Sequence, residues 1–91
     1  MTQRLFTVDD LKRILLEGAG EVEGADLETD ILDLEFDVIG YDSIALLETG
    51  SRVEREFEVE LDDEELATAG TPREFIEVVN RQLAKSAEQV A

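Results

Sequence analysis

Residues 40–48, Gly40-Tyr41-Asp42-Ser43-Ile44-Ala45-Leu46-Leu47-Glu48, read as the opening of a helix. Gly40 and Tyr41 form a turn, and Asp42 or Ser43 supplies the cap that accepts a hydrogen bond from a first-turn N–H. Downstream, Leu46, Leu47, Gly50, Val53 and Phe57 recur at helical spacing, with Glu48, Arg52, Glu54, Arg55 and Glu56 on the polar sides. The helix is expected to reach about Phe57. Gly50 in its interior costs up to ~1 kcal/mol in propensity relative to Ala, which marks it as a residue kept small to make space.

The pattern on either side is also helical. Thr7 caps a first helix over Val8–Glu17, with Asp9 and Asp10 at the positive end of its dipole and Val8, Leu11, Ile14 and Leu15 as its apolar stripe. Gly18 and Gly20 are expected to end it. A long connection follows, from Gly18 to Asp42. Its Val22, Leu27, Ile31, Leu32, Leu34, Phe36, Val38 and Ile39 are too apolar for a solvated linker. It is expected to be ordered over the helix ends, with a short helical turn near Asp30–Leu34. Structureless loops this long are uncommon and are often functional. After an alternating stretch too short for a strand, Asp62 caps a short helix at about Asp63–Ala67. Thr71-Pro72-Arg73-Glu74 then gives a cap, a first-position proline and a capping-box partner for the last helix. Phe75, Val78, Val79 and Leu83 form its buried stripe, and Lys85–Ala91 is expected to fray. The sum is one all-α domain with its core at about residues 5–84.

Composition narrows the function. With 24 acidic against 8 basic residues the net charge is −16, which repels nucleic-acid backbones and anionic membranes; it either steers basic partners inward or only keeps a small protein soluble, and taken alone it favours neither reading. A hydrophobic content of 43%, in periodic runs, argues against disorder. Met1–Phe6 lacks the basic and apolar regions of a signal peptide, and no apolar run has the length of a membrane span, so a soluble, cytoplasmic monomer is expected.

The usual catalytic sets fail. The chain has no histidine and no cysteine, which excludes a Ser-His-Asp triad, thiolate metal sites and disulfides. Lys12 and Lys85 are remote from Ser43, and no Ser-x-x-Lys motif occurs. Gly18, Gly20 and Gly24 fit no phosphate-cradling loop. Asp33, Glu35 and Asp37 alternate as in a calcium-binding EF-hand loop, but Val38 and Ile44 stand where its glycine and glutamate belong. No metal and no catalytic residue is expected. Ser43 remains, at a helix N-terminus that favours a phosphodiester by about 0.3–1 kcal/mol. Local chemistry alone favours the plainer reading, that Ser43 or Asp42 simply caps the helix.

Ile39-Gly40-Tyr41-Asp42-Ser43-Ile44-Ala45-Leu46-Leu47-Glu48 closely resembles the attachment motif of acyl carrier proteins, with Ile44 where leucine is common. Leu32-Asp33-Leu34-Glu35-Phe36 looks like the carriers of type II aromatic polyketide synthases, and Thr71-Pro72-Arg73-Glu74-Phe75 resembles the start of their last helix. The resemblance covers nearly the whole chain. It implies an acyl-carrier-like four-helix bundle, three helices long and one short, with a long loop between helices 1 and 2. It implies 4′-phosphopantetheine, attached to Ser43 from coenzyme A by a magnesium-dependent phosphopantetheinyl transferase. The arm would supply the thiol that this cysteine-free chain lacks.

Other roles follow from the same resemblance. Asp42, Ile44, Glu48 and Glu54 would meet partners, which include ketosynthase, acyltransferase and ketoreductase-type enzymes with basic docking patches. Arg52 and Arg55 depart from a uniformly acidic face. The small residues Ala45, Gly50 and Ser51, with Leu46, would leave a shallow groove for the acyl chain, although plain helix packing accounts for them as well. The rivals are a fatty-acid carrier and an unmodified acidic adaptor that binds basic proteins.

Overall fold

The computed structural model describes residues 5–19 and 30–89. Among the described residues five helices follow one another: α1 Val8–Ala19, α2 Phe36–Ile39, α3 Ser43–Phe57, α4 Asp63–Thr68 and α5 Pro72–Gln89. Helix α1 packs on α3 and α5, and α4 packs on α3 and α5. The three long helices and the short α4 match the expected bundle, and α2 is one extra turn inside the first connection.

Caps fix the helix starts. Thr7 Oγ1 accepts from Asp10 N at 3.2 Å, and Asp10 Oδ2 accepts in return from Thr7 N at 3.1 Å. Asp62 accepts from Glu64 N at 2.8 Å. At α5, Thr71 Oγ1 accepts from Glu74 N, and Glu74 Oε2 reaches one residue past the cap to accept from Gly70 N at 2.7 Å.

Other boundaries differ from expectation. Gly18 lies inside α1, which runs to Ala19: the glycine keeps a helical backbone there, next to the Arg52 side chain. Asp30–Leu34 forms a hydrogen-bonded turn, Leu34 N to Ile31 O at 3.1 Å, and the helical segment comes later, at Phe36–Ile39. Phe36 and Ile39 are its buried residues, so α2 forms where two apolar side chains reach the core. Helix α5 continues through Lys85 to Gln89, within the segment expected to fray. The expectations for Gly20, Val22, Gly24 and Leu27 lie outside the described residues.

The core runs through every helix. Leu11, Ile14 and Leu15 of α1 meet Leu46, Val53 and Phe57 of α3, Leu66 of α4, and Phe75, Val78, Val79 and Leu83 of α5. Val8 and Leu47, expected in the stripes, are partly buried at the margin. The Phe6 ring stands edge-on to Phe57, with centroids 5.2 Å apart, and Phe36 does the same to Phe75 at 6.1 Å. Asn80 holds the segment before α1 by accepting from Phe6 N and donating to Phe6 O, at 2.8 and 3.0 Å.

The connection before α3 is ordered by α5 and the turn preceding it. Phe36 N donates to Gly70 O at 2.8 Å and Arg73 N to Leu32 O at 3.0 Å. The Arg73 guanidinium binds both oxygens of Asp33, at 2.8 and 3.1 Å. Apolar composition did not mean burial throughout this stretch. Ile31, Phe36 and Ile39 are inside, whereas Leu34 and Val38 are exposed.

Candidate functional site

Helix α2 ends at Gly40, whose left-handed φ of 102° is unstrained only without a side chain. Its N–H and that of Tyr41 both donate to Phe36 O, at 2.9 Å each. This closed turn delivers Tyr41, Asp42 and Ser43 to the start of α3. Asp42 is the cap: its backbone is extended, and its carboxylate accepts from Ala45 N at 2.9 Å. Ser43 is therefore the first helical residue and not the cap, and it is exposed. Its hydroxyl stands at the positive end of the dipole, where a phosphodiester is favoured. The residues present fit a phosphopantetheine group on that hydroxyl.

Beside Ser43 lies a cleft of about 420 Å³. Its walls come from Phe36 and Tyr41, from Leu46 of α3, and from Ala67, Ala69 and Gly70 at the far end of α4. Glu35, Asp37 and Asp42 complete the lining with carboxylates. Tyr41 is 2% exposed, and its hydroxyl finds no hydrogen-bond partner among the described residues. An orphaned buried polar group of this kind costs about 1–3 kcal/mol. Burial also raises the Tyr41 pKa, so the phenol stays neutral and remains a donor.

The residues expected to form an acyl groove are only partly brought together. Leu46 lines the cleft. Gly50 is buried under Leu66, whose terminal methyl would lie 2.4 Å from an added Cβ. Its lost side chain lets α4 approach α3 and opens no groove. Ser51 is exposed, and Ala45 is half-buried against the core. The cleft instead uses Phe36, Tyr41, Ala67, Ala69 and Gly70, which the sequence did not mark. They come from three segments, and only their assembly makes a wall. Tyr41, the sole tyrosine, adjacent to the motif, was the available signal.

Among the residues expected to meet partners, Asp42, Ile44 and Glu48 are exposed. Ile44 is 68% exposed, and Val38 on α2 is 70% exposed, so apolar side chains stand in water on the elements flanking Ser43. Glu54 is different. It is half-buried and accepts from Leu61 N at 2.9 Å, fastening the chain that leaves α3. Arg52 covers Gly18 of α1. No group of three residues able to hold a metal occurs among the described residues.

Comparison with known proteins adds the family. The model of the phosphopantetheine attachment site matches residues 13–79. The chain is 48% identical over 83 residues to the actinorhodin polyketide synthase acyl carrier protein of Streptomyces coelicolor, covering 91% of this chain and 96% of that protein. It is 54% identical over 84 residues to the monensin polyketide synthase acyl carrier protein of Streptomyces virginiae, covering 92% and 94%. Among solved structures, the actinorhodin holo acyl carrier protein from the same S. coelicolor superposes with a TM-score of 0.80 at 46% identity, covering 93% of this chain and 99% of that one. Its 3,5-dioxohexyl form, a triketide mimic, reaches 0.85 with the same coverage.

Proposed function

The chain belongs to the acyl carrier proteins of type II polyketide synthases, and from that premise we propose that Ser43 is the residue that holds the 4′-phosphopantetheine arm. Carriers of this family are not catalysts; they hold acyl intermediates on the arm while synthase enzymes act on them. The observation that supports Ser43 is the division of labour at the start of α3. Asp42 caps the helix, which leaves the neighbouring hydroxyl exposed at the dipole's positive end and free of a capping duty.

When bound, the arm supplies a thiol that carries acyl groups as thioesters, activated for condensation. The chain's own residues do the rest. Asp42 fixes the first turn of the helix that begins at Ser43. Ile44 and Val38 offer apolar contact on either side of Ser43, and Glu48 and the general acidity draw basic docking patches. Glu54, committed to Leu61 N, contributes to the fold of that face more than to direct contact. The cleft lined by Tyr41 and Leu46 is the place for a short acyl chain. Phosphopantetheinyl transferase, ketosynthase, acyltransferase and ketoreductase-type enzymes are the partners of this reading. The protein works as a cytoplasmic monomer. No described helix is long and apolar enough to cross a membrane.

Reconstitution with a type II ketosynthase tests it. Ser43→Ala is expected to abolish polyketide formation with its circular dichroism unchanged. Product at the wild-type rate from Ser43→Ala would favour the unmodified adaptor.

A further inference from the structure

Among the described residues the fold satisfies the other buried polar side groups. Thr49 donates its hydroxyl to Ala45 O at 2.8 Å, and Asn80 is bonded twice to the backbone of Phe6. Tyr41 is the exception among the described residues: it helps wall the cleft beside Ser43, and its buried hydroxyl has no partner. A phenylalanine would fill the same ring space without leaving a donor unmet. Resting on the carrier reading of Ser43, we propose that the Tyr41 hydroxyl donates a hydrogen bond to a ketone oxygen of the arm-borne chain in the cleft, so that β-keto intermediates are held there in preference to saturated ones.

The chemistry of the cleft gives this preference its sign. A ketone that enters between Phe36, Leu46, Ala67 and Ala69 loses its water and needs a donor. The neutral phenol is that donor, and the contact satisfies both groups at once. A saturated chain presents only its thioester carbonyl, a weaker acceptor, and leaves the phenol unmet. Sites built around a hydrogen bond discriminate in this way against analogues that lack the matching group. The carboxylates of Glu35, Asp37 and Asp42 in the lining disfavour anionic cargo, which leaves neutral keto chains as the suited occupants. Tyr41 lines the cleft and its hydroxyl is buried, so the proposed bond requires the wall to open onto the hydroxyl as the ketone is taken up.

The test compares the wild type with Tyr41→Phe in four forms: unmodified, phosphopantetheinylated, butyrylated and 3-oxobutyrylated, each verified by intact mass. In the wild type, the 3-oxobutyryl form is expected to melt above the butyryl form by about 4–8 °C, the shift that one hydrogen bond produces in a domain this small. In Tyr41→Phe this difference disappears. Independently of the variant, the Tyr41 Cζ resonance of the wild type is expected to move on 3-oxobutyryl loading and to stay put on butyryl loading. A ketone-dependent difference that survives in Tyr41→Phe overturns the proposal. So does a Cζ resonance equally displaced in the butyryl or unacylated arm-bearing form, which would assign the bond to the thioester or the arm. Failure of the wild type to accept any arm would instead strike at the carrier reading.

Discussion

With Asp42 already bonded to Ala45 N, the Ser43 side chain has little to do for stability. Ser43→Ala is therefore expected to stay within about 0.5 kcal/mol of the wild type in urea denaturation, as for substitutions away from structural features. Asp42→Ala should cost about 1 kcal/mol, the usual loss of a helix cap. The reverse ranking would make the serine the cap. Two glycines give a second contrast at this scale. Gly50→Ala places a methyl 2.4 Å from the Leu66 side chain, which is only 1% exposed and has little room to yield. Overpacking of about 1–3 kcal/mol outweighs a propensity gain of up to ~1 kcal/mol, so net destabilisation is expected. Gly18→Ala meets Arg52 at 3.0 Å, but that side chain is at the surface and can swing away. The propensity gain then dominates, and Gly18→Ala should stabilise by up to ~1 kcal/mol.

Among the elements, the connection before α3 carries the site, and the segment beginning α5 holds it in place. The Arg73 guanidinium, by hydrogen bonding and then by its charge, lowers the Asp33 pKa. A depressed carboxylate contributes stability fully present above its unfolded pKa, near 3.9, and loses it as pH falls through the folded value. Both side chains are exposed, so the effect is small. A carboxyl NMR titration should put the Asp33 midpoint below that reference, and Arg73→Gln should return it. An unchanged midpoint in Arg73→Gln would remove the ion pair from the contacts that hold the connection to α5.

The elements also show how far the residues could be read. Thr7, Asp62 and Thr71-Pro72 announce helix starts because capping is local, within four residues. The placement of α2 was less legible, since Leu34 and Val38 are as apolar as Ile31 and Ile39 and only packing sorts them. Contacts such as Gly50 on Leu66, Glu54 on Leu61 N and Asn80 on Phe6 depend on tertiary approach. The motif around Ser43 could be compared with a family because it is contiguous; the cleft was not legible, because its walls come from separate segments.

For the whole molecule, a charge of −16 on 91 residues sets a general repulsion that no single ion pair offsets. Pairs such as Arg13 with Glu56, which ties α1 to α3, relieve it only locally. Salt should therefore raise the melting temperature as the screening length falls to about 10 Å at 0.1 M. A melt independent of ionic strength would mean that the charges are already compensated in the fold. Under the proposed function, the same acidity would draw basic enzymes to the protein, with Ser43 as the point to which they are directed.

That point is tested most directly by intact mass. Unmodified protein and Ser43→Ala are incubated with coenzyme A, magnesium and a broad-specificity phosphopantetheinyl transferase. The expected result is a gain of one phosphopantetheine group by the wild type and none by the variant. No gain in folded wild type, or an equal gain in Ser43→Ala, would contradict Ser43 as the bearer of the arm.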